Sequence, residues 1–214
     1  MKRFLKYIKS TKGQSLAEFA VTTAMMATLA TTAAPKFSGV GEGAKEKKTL
    51  ADIDKIMKSA NNFYNAKVTS DGRGRFPGQN KYNETVPVSG GYATEVACLA
   101  HIKGDNATFT TFESDNASSW ASVFSTTNAD ATAPTGHQIS TTEDDNNNNS
   151  FDEFRGSEEF LNEFGGNAVK SPFQDGHYIY TVIAGSGSGT SSISPILFIA
   201  DLESAKNFHK KLQP

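Results

Sequence analysis

Glu18 has the most unusual chemical setting in this sequence. It is the only charged residue between Leu16 and Ala34, a stretch of nineteen residues that are otherwise apolar or carry hydroxyls. An ionised carboxylate costs about 2.5–3.5 kcal/mol near the centre of a bilayer. A plain membrane anchor would fit the length of this stretch but gives no reason for Glu18.

A second candidate site is a run of carboxylates and amides, the only dense cluster of hard oxygen ligands in the sequence. Asp145, Asn147 and Asn149 alternate as in the first half of an EF-hand calcium loop. The twelfth position counted from Asp145 is Gly156 rather than Glu, and Ser150 replaces the loop glycine. A solvated acidic loop is the alternative interpretation. The candidate calcium ligands are Asp144, Asp145, Asn147, Asn149, Asp152 and Glu153.

The segment that positions Glu18 begins with a basic leader and ends at a proline. Residues 1–13 contain five basic side chains and no acid, a charge bias that would keep the N-terminus in the cytoplasm. The apolar stretch has about the length of a membrane-crossing helix, which is roughly 20 residues. Its threonines dilute the apolar character, and their hydroxyls can bond back to the helix backbone. A secretory signal peptide would have its cleavage site after the apolar run, whereas Gly13 precedes it.

The order of these features resembles type IV prepilins and type II secretion pseudopilins. The resemblance rests on the basic leader, Gly13, the pair Glu18-Phe19, the apolar helix, and Pro35 twenty-two residues after the glycine. It implies that a prepilin peptidase cuts after Gly13 and methylates Gln14, and that Glu18 neutralises the terminal ammonium of a neighbouring subunit. The Glu18-Phe19 pair is also similar to the Glu-Tyr step of tight-adherence pilins. Gln14 departs from the Phe or Met that is commonest there.

Two later segments are similar to major pseudopilins in particular. Gly74-Arg75-Phe76-Pro77 resembles their Gly-Arg-Tyr-Pro, and residues 171–180 resemble their Asp-Pro-Trp-Gly-x-Pro-Tyr-x-Tyr, with Phe173 in place of Trp. Major pseudopilins bind calcium in the loop after the Tyr-x-Tyr strand. The corresponding loop, residues 185–192, has no carboxylate, so that site cannot be carried over.

The predicted architecture is α+β, with a long N-terminal helix packed on a small antiparallel sheet. Residues 1–13 are the cleaved leader, 14–34 the membrane or filament-core helix, 35–43 a hinge, and 44–214 the head. The hinge is expected to be kinked because Pro35 and three glycines weaken the helix, each glycine by about 1 kcal/mol relative to alanine. From residue 44 the helix resumes, and its apolar stripe should pack on the sheet. The stripe comprises Leu50, Ile53, Ile56, Met57, Ala60, Phe63 and Tyr64, while charged residues, Asp52 among them, lie elsewhere.

In the rest of the head, the sequence predicts defined elements toward the C-terminus but only irregular structure before them. Residues 177–184 and 193–200 read as two strands of a hairpin, and residues 158–164 as a short helix ended by two glycines. Asp201 is expected to cap a last helix over residues 202–212. Residues 103–149 suggest short edge strands and long loops whose register the sequence does not define.

Composition narrows the functional classes. The net charge is −2, and it becomes −7 without the leader. The mature chain therefore lacks the overall positive charge that is typical of nucleic-acid-binding domains. The four histidines share no metal-ligand spacing, no catalytic motif stands out, and Cys98 is most simply a small buried residue. We therefore expect a structural subunit rather than an enzyme, with no required cofactor and calcium as the one candidate.

The resemblance also implies partners and a location. The partners would be copies of the chain itself, a prepilin peptidase, an inner-membrane assembly platform, and the membrane before assembly. The protein would lie in the inner membrane with its head in the periplasm, and later in a periplasmic or extracellular filament. The alternative is a single-span, membrane-anchored binding module, with calcium as a candidate ligand, that does not polymerise. Processing at Gly13 distinguishes the two.

Overall fold

The structure, a computed structural model, describes residues 2–87, 90–104, 119–124, 155–173 and 176–214; within the first helix, side chains are described for residues 16–27 and from residue 40 onward. The chain divides into two compact units, Met1–Glu46 and Lys47–Pro214.

The described residues form an α+β structure, which confirms the predicted class. The helices are α1 (Lys2–Asp71), α2 (Glu95–Lys103) and α3 (Arg155–Glu163), with a 3-10 turn at Gly189–Ser191. The strands are β1 (Ala121–Ser122), β2 (Tyr178–Ile183), β3 (Ile196–Asp201) and β4 (His209–Leu212). They form an antiparallel sheet in the order β1-β2-β3-β4.

The predicted hairpin is confirmed as β2 and β3. Their register runs from Tyr178 opposite Asp201 to Ile183 opposite Ile196, and an isolated bridge between Ser186 and Ile193 extends the pairing. Every residue of β2 is buried. A strand rich in β-branched and aromatic residues suits a position where both sheet faces are covered.

Two core clusters cover the two faces of the sheet. One joins α1 and α3 to the first face through Ile53, Ile56, Phe160, Tyr178, Tyr180, Val182, Leu197 and Ile199. The other joins α2 to the opposite face through Cys98, Ile102, Trp120, Ile179, Ile183, Phe198 and Ala200. The expected burial of Cys98 is confirmed. The sheet is therefore the middle layer of the head.

The apolar stripe of α1 packs on the sheet as predicted, with two exceptions. Ile53, Ile56 and Ala60 are fully buried, whereas Leu50 is 38 % exposed. Asp52 was expected outside the stripe but is only 2 % exposed. Its Oδ1 accepts a hydrogen bond from Lys55 (2.8 Å), and its Oδ2 lies 3.5 Å from the Tyr178 hydroxyl. The contact with Tyr178 of β2 thus accounts for the burial of Asp52 at the edge of the stripe.

The predicted C-terminal helix over residues 202–212 is wrong. Residues 202–207 form turns, and β4 follows, pairing with β3 from Ala200↔His209 to Leu197↔Leu212. The unpaired edge of β3 offers a row of backbone hydrogen-bond partners, and residues 209–212 satisfy it. Lys210 and Lys211 then point to opposite faces, where they form ion pairs with Asp54 of α1 and Glu95 of α2 respectively.

Helix α2 was not predicted, although its signals are present in the sequence. The hydroxyl of Thr94 caps the helix by accepting from the backbone N–H of Ala97, and Gly104 ends it. Helix α3 confirms the expected short helix, since Gly165 and Gly166 adopt positive φ at its end.

Asp201 is fully buried and caps a turn instead of a helix. Its Oδ1 accepts from the backbone N–H groups of Glu203 and Ser204, both at 3.1 Å, and its Oδ2 accepts from the Ser171 hydroxyl. Burial raises the pKa of this carboxyl above its ordinary value of 3.8, and the hydrogen bonds oppose that shift. A raised pKa means that the folded state favours the protonated carboxyl. The stabilisation is complete below the unfolded pKa and is lost as the pH rises through the folded pKa.

We expect Asp201→Asn to remove this part of the pH dependence. Asparagine keeps an acceptor oxygen for the two N–H groups but does not titrate. Relative to the wild type, the variant should gain in unfolding free energy as the pH rises from 3.8 through the raised pKa. Urea unfolding between about pH 3.5 and 7.5 measures the difference. Glu163→Gln, which changes an exposed carboxylate, is the control; equal pH profiles for Asp201→Asn and wild type would contradict the expectation.

Candidate assembly surface on the N-terminal helix

The residues that the resemblance assigns to processing and assembly all lie in α1. The backbone of Gly13, Gln14 and Pro35 is helical, and their side-chain surroundings lie outside the described part. Glu18 is exposed, and Phe19 is 71 % exposed. The structure therefore describes the candidate assembly residues Glu18 and Phe19 but not the side-chain surroundings of the candidate cleavage residues.

Residues 16–27 expose a set of large apolar side chains around Glu18. Leu16 is 73 % exposed, Phe19 and Met26 71 %, Met25 60 % and Val21 53 %. Large apolar groups at such exposure are costly in water, and contiguous patches of them mark protein or membrane interaction sites. We call residues 16–27 the apolar collar.

The apolar groups of the collar surround the helix rather than forming one stripe. At 100° per residue, Phe19 and Met26 lie on one side, while Val21 and Met25 lie near Glu18 on another. A helix that is apolar all round suits an environment enclosed by other helices or by lipid. Glu18 is the one carboxylate inside the collar, so enclosure requires a cation beside it.

The collar's threonines satisfy their own hydrogen-bonding needs. The Thr22 hydroxyl donates to the carbonyls of Glu18 (3.0 Å) and Phe19 (2.9 Å), and the Thr23 hydroxyl donates to that of Phe19 (2.7 Å). The expected return of threonine hydroxyls to the backbone is thus confirmed at these two residues. Such hydroxyls can be enclosed without leaving an unpaired donor.

Within the part of the chain that the structure describes, no helix combines the length and apolar character needed to cross a membrane. The membrane segment at residues 14–34 stays a prediction.

The segment from Pro35 to Gly43 has helical backbone as part of α1. A Cβ atom added at Gly41 or Gly43 would meet no atom within 4 Å, so packing does not require glycine at either position. Their effect is then on the backbone, where each glycine weakens the helix. The hinge stays a prediction.

The candidate calcium tract, Asp144 to Glu153, lies outside the described residues. Among the described residues, no group of three or more His, Cys, Asp or Glu side chains is arranged to hold a metal ion.

A largely buried ion pair that the sequence did not reveal holds the loop after α1 against α3. The Arg75 guanidinium donates to both carboxylate oxygens of Glu159 on α3, at 2.8 and 3.1 Å, and to the carbonyl of Gln79 at 2.8 Å. The Gly78 N–H donates to the same carboxylate at 2.8 Å. The side chains of Arg75 and Glu159 are 7 % and 15 % exposed. The Gly-Arg-Phe-Pro motif was visible in the sequence, but its distant acidic partner was not.

Comparison of the chain with protein-family models, curated proteins and solved structures found no match.

Proposed function

We propose that the chain is a structural subunit of a type IV pilus-like or type II secretion pseudopilus filament. A prepilin peptidase would remove residues 1–13, and the mature subunits would assemble through α1. The observation that carries the proposal is the apolar collar, which exposes large side chains on more than one side of the helix and holds one carboxylate, Glu18.

The chemistry of Glu18 favours other copies of the chain as the occupants of the collar. Cleavage after Gly13 would create a new ammonium at Gln14, four residues before Glu18. In an array of parallel helices, the ammonium of one subunit can lie beside Glu18 of the next. The pair would allow both charges to be enclosed, because neither remains uncompensated in apolar surroundings.

Before assembly, the proposal places the collar in the inner membrane and the head in the periplasm. The basic leader would keep the N-terminus in the cytoplasm. The inner-membrane assembly platform would transfer the subunit from lipid to filament. Residues 35–43 would let the head reorient over the helical core, because proline and the glycines weaken the helix there.

Co-expression tests the proposal. The chain is produced with an assembly platform and either active or inactive prepilin peptidase, and filaments are collected by sedimentation and imaged. We expect filaments that contain the chain only with active peptidase. Chain that stays in the membrane fraction as a full-length protein under both conditions would favour a membrane-anchored binding module instead.

A further inference from the structure

A row of four buried polar side chains connects helix α1 with the sheet. Asp52 lies on α1, Tyr178 begins β2, Asp201 ends β3, and Ser171 lies in the segment before β2. None of the four is more than 3 % exposed. Polar groups at such burial need hydrogen-bond partners within the protein. We call these four residues the polar row.

The strand register places Asp201 directly beside Tyr178. The two residues are partners in the β2–β3 ladder, and the Asp201 N–H donates to the Phe208 carbonyl rather than to β2. Asp201 and Tyr178 therefore form a non-hydrogen-bonded pair, the kind of antiparallel pair in which side chains lie closest. The Tyr178 hydroxyl lies 3.5 Å from Oδ2 of Asp52. Tyr178 thus lies between the two carboxyl groups of the row.

Ser171 connects Tyr178 with Asp201. The Ser171 hydroxyl donates to Oδ2 of Asp201 and accepts from the Phe173 N–H at 3.2 Å, and it also interacts with the Tyr178 hydroxyl. A hydroxyl group donates one hydrogen bond and can accept two. The two hydroxyls can therefore transmit a change of hydrogen-bond direction from one carboxyl group to the other.

The charges around Asp52 come from its own helix. The ammonium groups of Lys55 and Lys48 lie 2.8 and 4.0 Å from its carboxylate oxygens. Lys48 also donates to the Lys170 carbonyl at 3.0 Å. Asp52 therefore has cations beside it whatever the protonation state of Asp201.

Asp201 has different surroundings, because no described lysine or arginine forms a salt bridge with it. Its donors are the Ser171 hydroxyl and the backbone N–H groups of Glu203 and Ser204, and the buried His177 adjoins the row in sequence. Burial raises the pKa of the Asp201 carboxyl, and the hydrogen bonds oppose that shift. Asp201 is therefore the member of the row whose protonation is favoured by burial.

The direction of the hydrogen bonds depends on whether Asp201 carries a proton. Ionised Asp201 only accepts, so Ser171 donates to it and the Ser171 oxygen can accept from Tyr178. Protonated Asp201 can itself donate to Ser171, which can then donate to Tyr178 and leave the Tyr178 proton for the Asp52 carboxylate. The 3.5 Å between Tyr178 and Asp52 exceeds the separation of about 2.5–2.7 Å in a full hydroxyl–carboxylate bond, as the ionised arrangement requires.

We propose that the polar row is a pH-sensitive clasp between α1 and the sheet. Protonation of Asp201 closes the clasp by directing the Tyr178 hydroxyl to Asp52, and ionisation of Asp201 opens it. Closure takes up one proton from solution, and along the row only the directions of the hydrogen bonds change. The clasp therefore holds α1 more firmly in acid. The inference does not depend on the proposed filament function.

Carbon-13 NMR of the aspartate carboxyl groups tests the clasp in the full-length chain in detergent micelles. The pH is raised from about 3.5 to 8, and the Asp201 signal gives the midpoint of its own titration. We expect the Asp52 signal to show an inflection at that same midpoint, because the Tyr178 hydroxyl turns away from it. Asp54, half-exposed on the same helix, is the internal control, and its signal should show no inflection there.

Two variants separate the hydrogen-bonded connection from direct repulsion between the carboxylates. Ser171→Ala removes the connecting hydroxyl and keeps both carboxyl groups, so the Asp52 signal should lose the inflection. Asp201→Asn has an amide that donates at every pH, and it should hold the Asp52 signal at its acidic position. Ser188→Ala removes an exposed hydroxyl and should leave the inflection unchanged. An inflection that persists in Ser171→Ala would overturn the clasp.

The stability of Tyr178→Phe gives a second, independent readout. This substitution should raise the equilibrium constant of urea unfolding about tenfold more below the Asp201 midpoint than above it, because only the closed clasp contains the bond to Asp52. A purely structural role for Tyr178 would give the same increase at every pH. That result would contradict the proposal.

Discussion

Glu18→Leu should insert into the membrane and lose its leader normally but fail to assemble. Leucine suits lipid at least as well as glutamate, so insertion does not depend on the carboxylate. In the filament, however, the ammonium at Gln14 of the neighbour would be enclosed without a partner. Loss of one member of a buried pair costs about 3–5 kcal/mol, which corresponds to a loss of association of roughly 100-fold or more. Sedimented filament per cell measures the effect.

Glu46→Leu is the matched control for this substitution. Glu46 is an exposed carboxylate of the same helix, outside the apolar collar and the hinge, and its loss should leave assembly within about twofold of wild type. Normal filament yield from Glu18→Leu would remove the charge-pairing argument.

Arg75→Met should destabilise the head by about 3 kcal/mol or more. The substitution leaves the Glu159 carboxylate without its bidentate partner and the Gln79 carbonyl without its donor. It also removes the cation that lies 4.9 Å from the centre of the Phe63 ring. The urea midpoint and slope of unfolding give the change in free energy.

Two further variants distinguish the stability effect of breaking the ion pair from the effect of losing any arginine side chain. Arg73→Met removes a guanidinium that lies 3.9 Å from the Tyr82 ring centre, and such contacts contribute about 0.5–1 kcal/mol at exposed sites. Arg75→Met/Glu159→Met removes both charges and should recover part of the lost stability, since no uncompensated carboxylate remains. Equal losses of unfolding free energy for Arg73→Met and Arg75→Met would contradict the expectation that the Arg75–Glu159 ion pair contributes more than an ordinary arginine contact.

The elements predicted correctly are those whose signal is local and repeated. The β2–β3 hairpin has two runs of β-forming residues joined by a Gly/Ser loop, and the buried face of α1 recurs at three- and four-residue steps. Helix α3 ends at Gly165 and Gly166, which both adopt positive φ. Because glycine adopts this conformation readily, two consecutive glycines indicate the end of the helix in the sequence.

The errors arise where distant partners decide the local structure. Asp201 and two terminal lysines fit a capped helix, but the open edge of β3 makes residues 209–212 a strand. Asp52 reads as a surface residue until Tyr178, 126 residues further on, approaches its carboxylate. The burial of Arg75 could not be predicted from the sequence either, because its partner Glu159 is 84 residues away.

For the candidate site, the residues were identified from the sequence. The structure adds that Glu18 and Phe19 lie on an exposed apolar surface and that the hydroxyls of Thr22 and Thr23 donate hydrogen bonds to backbone carbonyls. In the proposed filament, the partner of Glu18 is the amino group of another subunit. Neither a local sequence pattern nor the structure of one chain can therefore contain that pair.

Mass spectrometry of the mature N-terminus, on chain purified from cells with an active prepilin peptidase, tests the central proposal most directly. We predict a chain that begins at Gln14 with a methylated amino group, thirteen residues shorter than the translated sequence. An intact Met1, or an N-terminus near Ala34, would contradict the filament proposal.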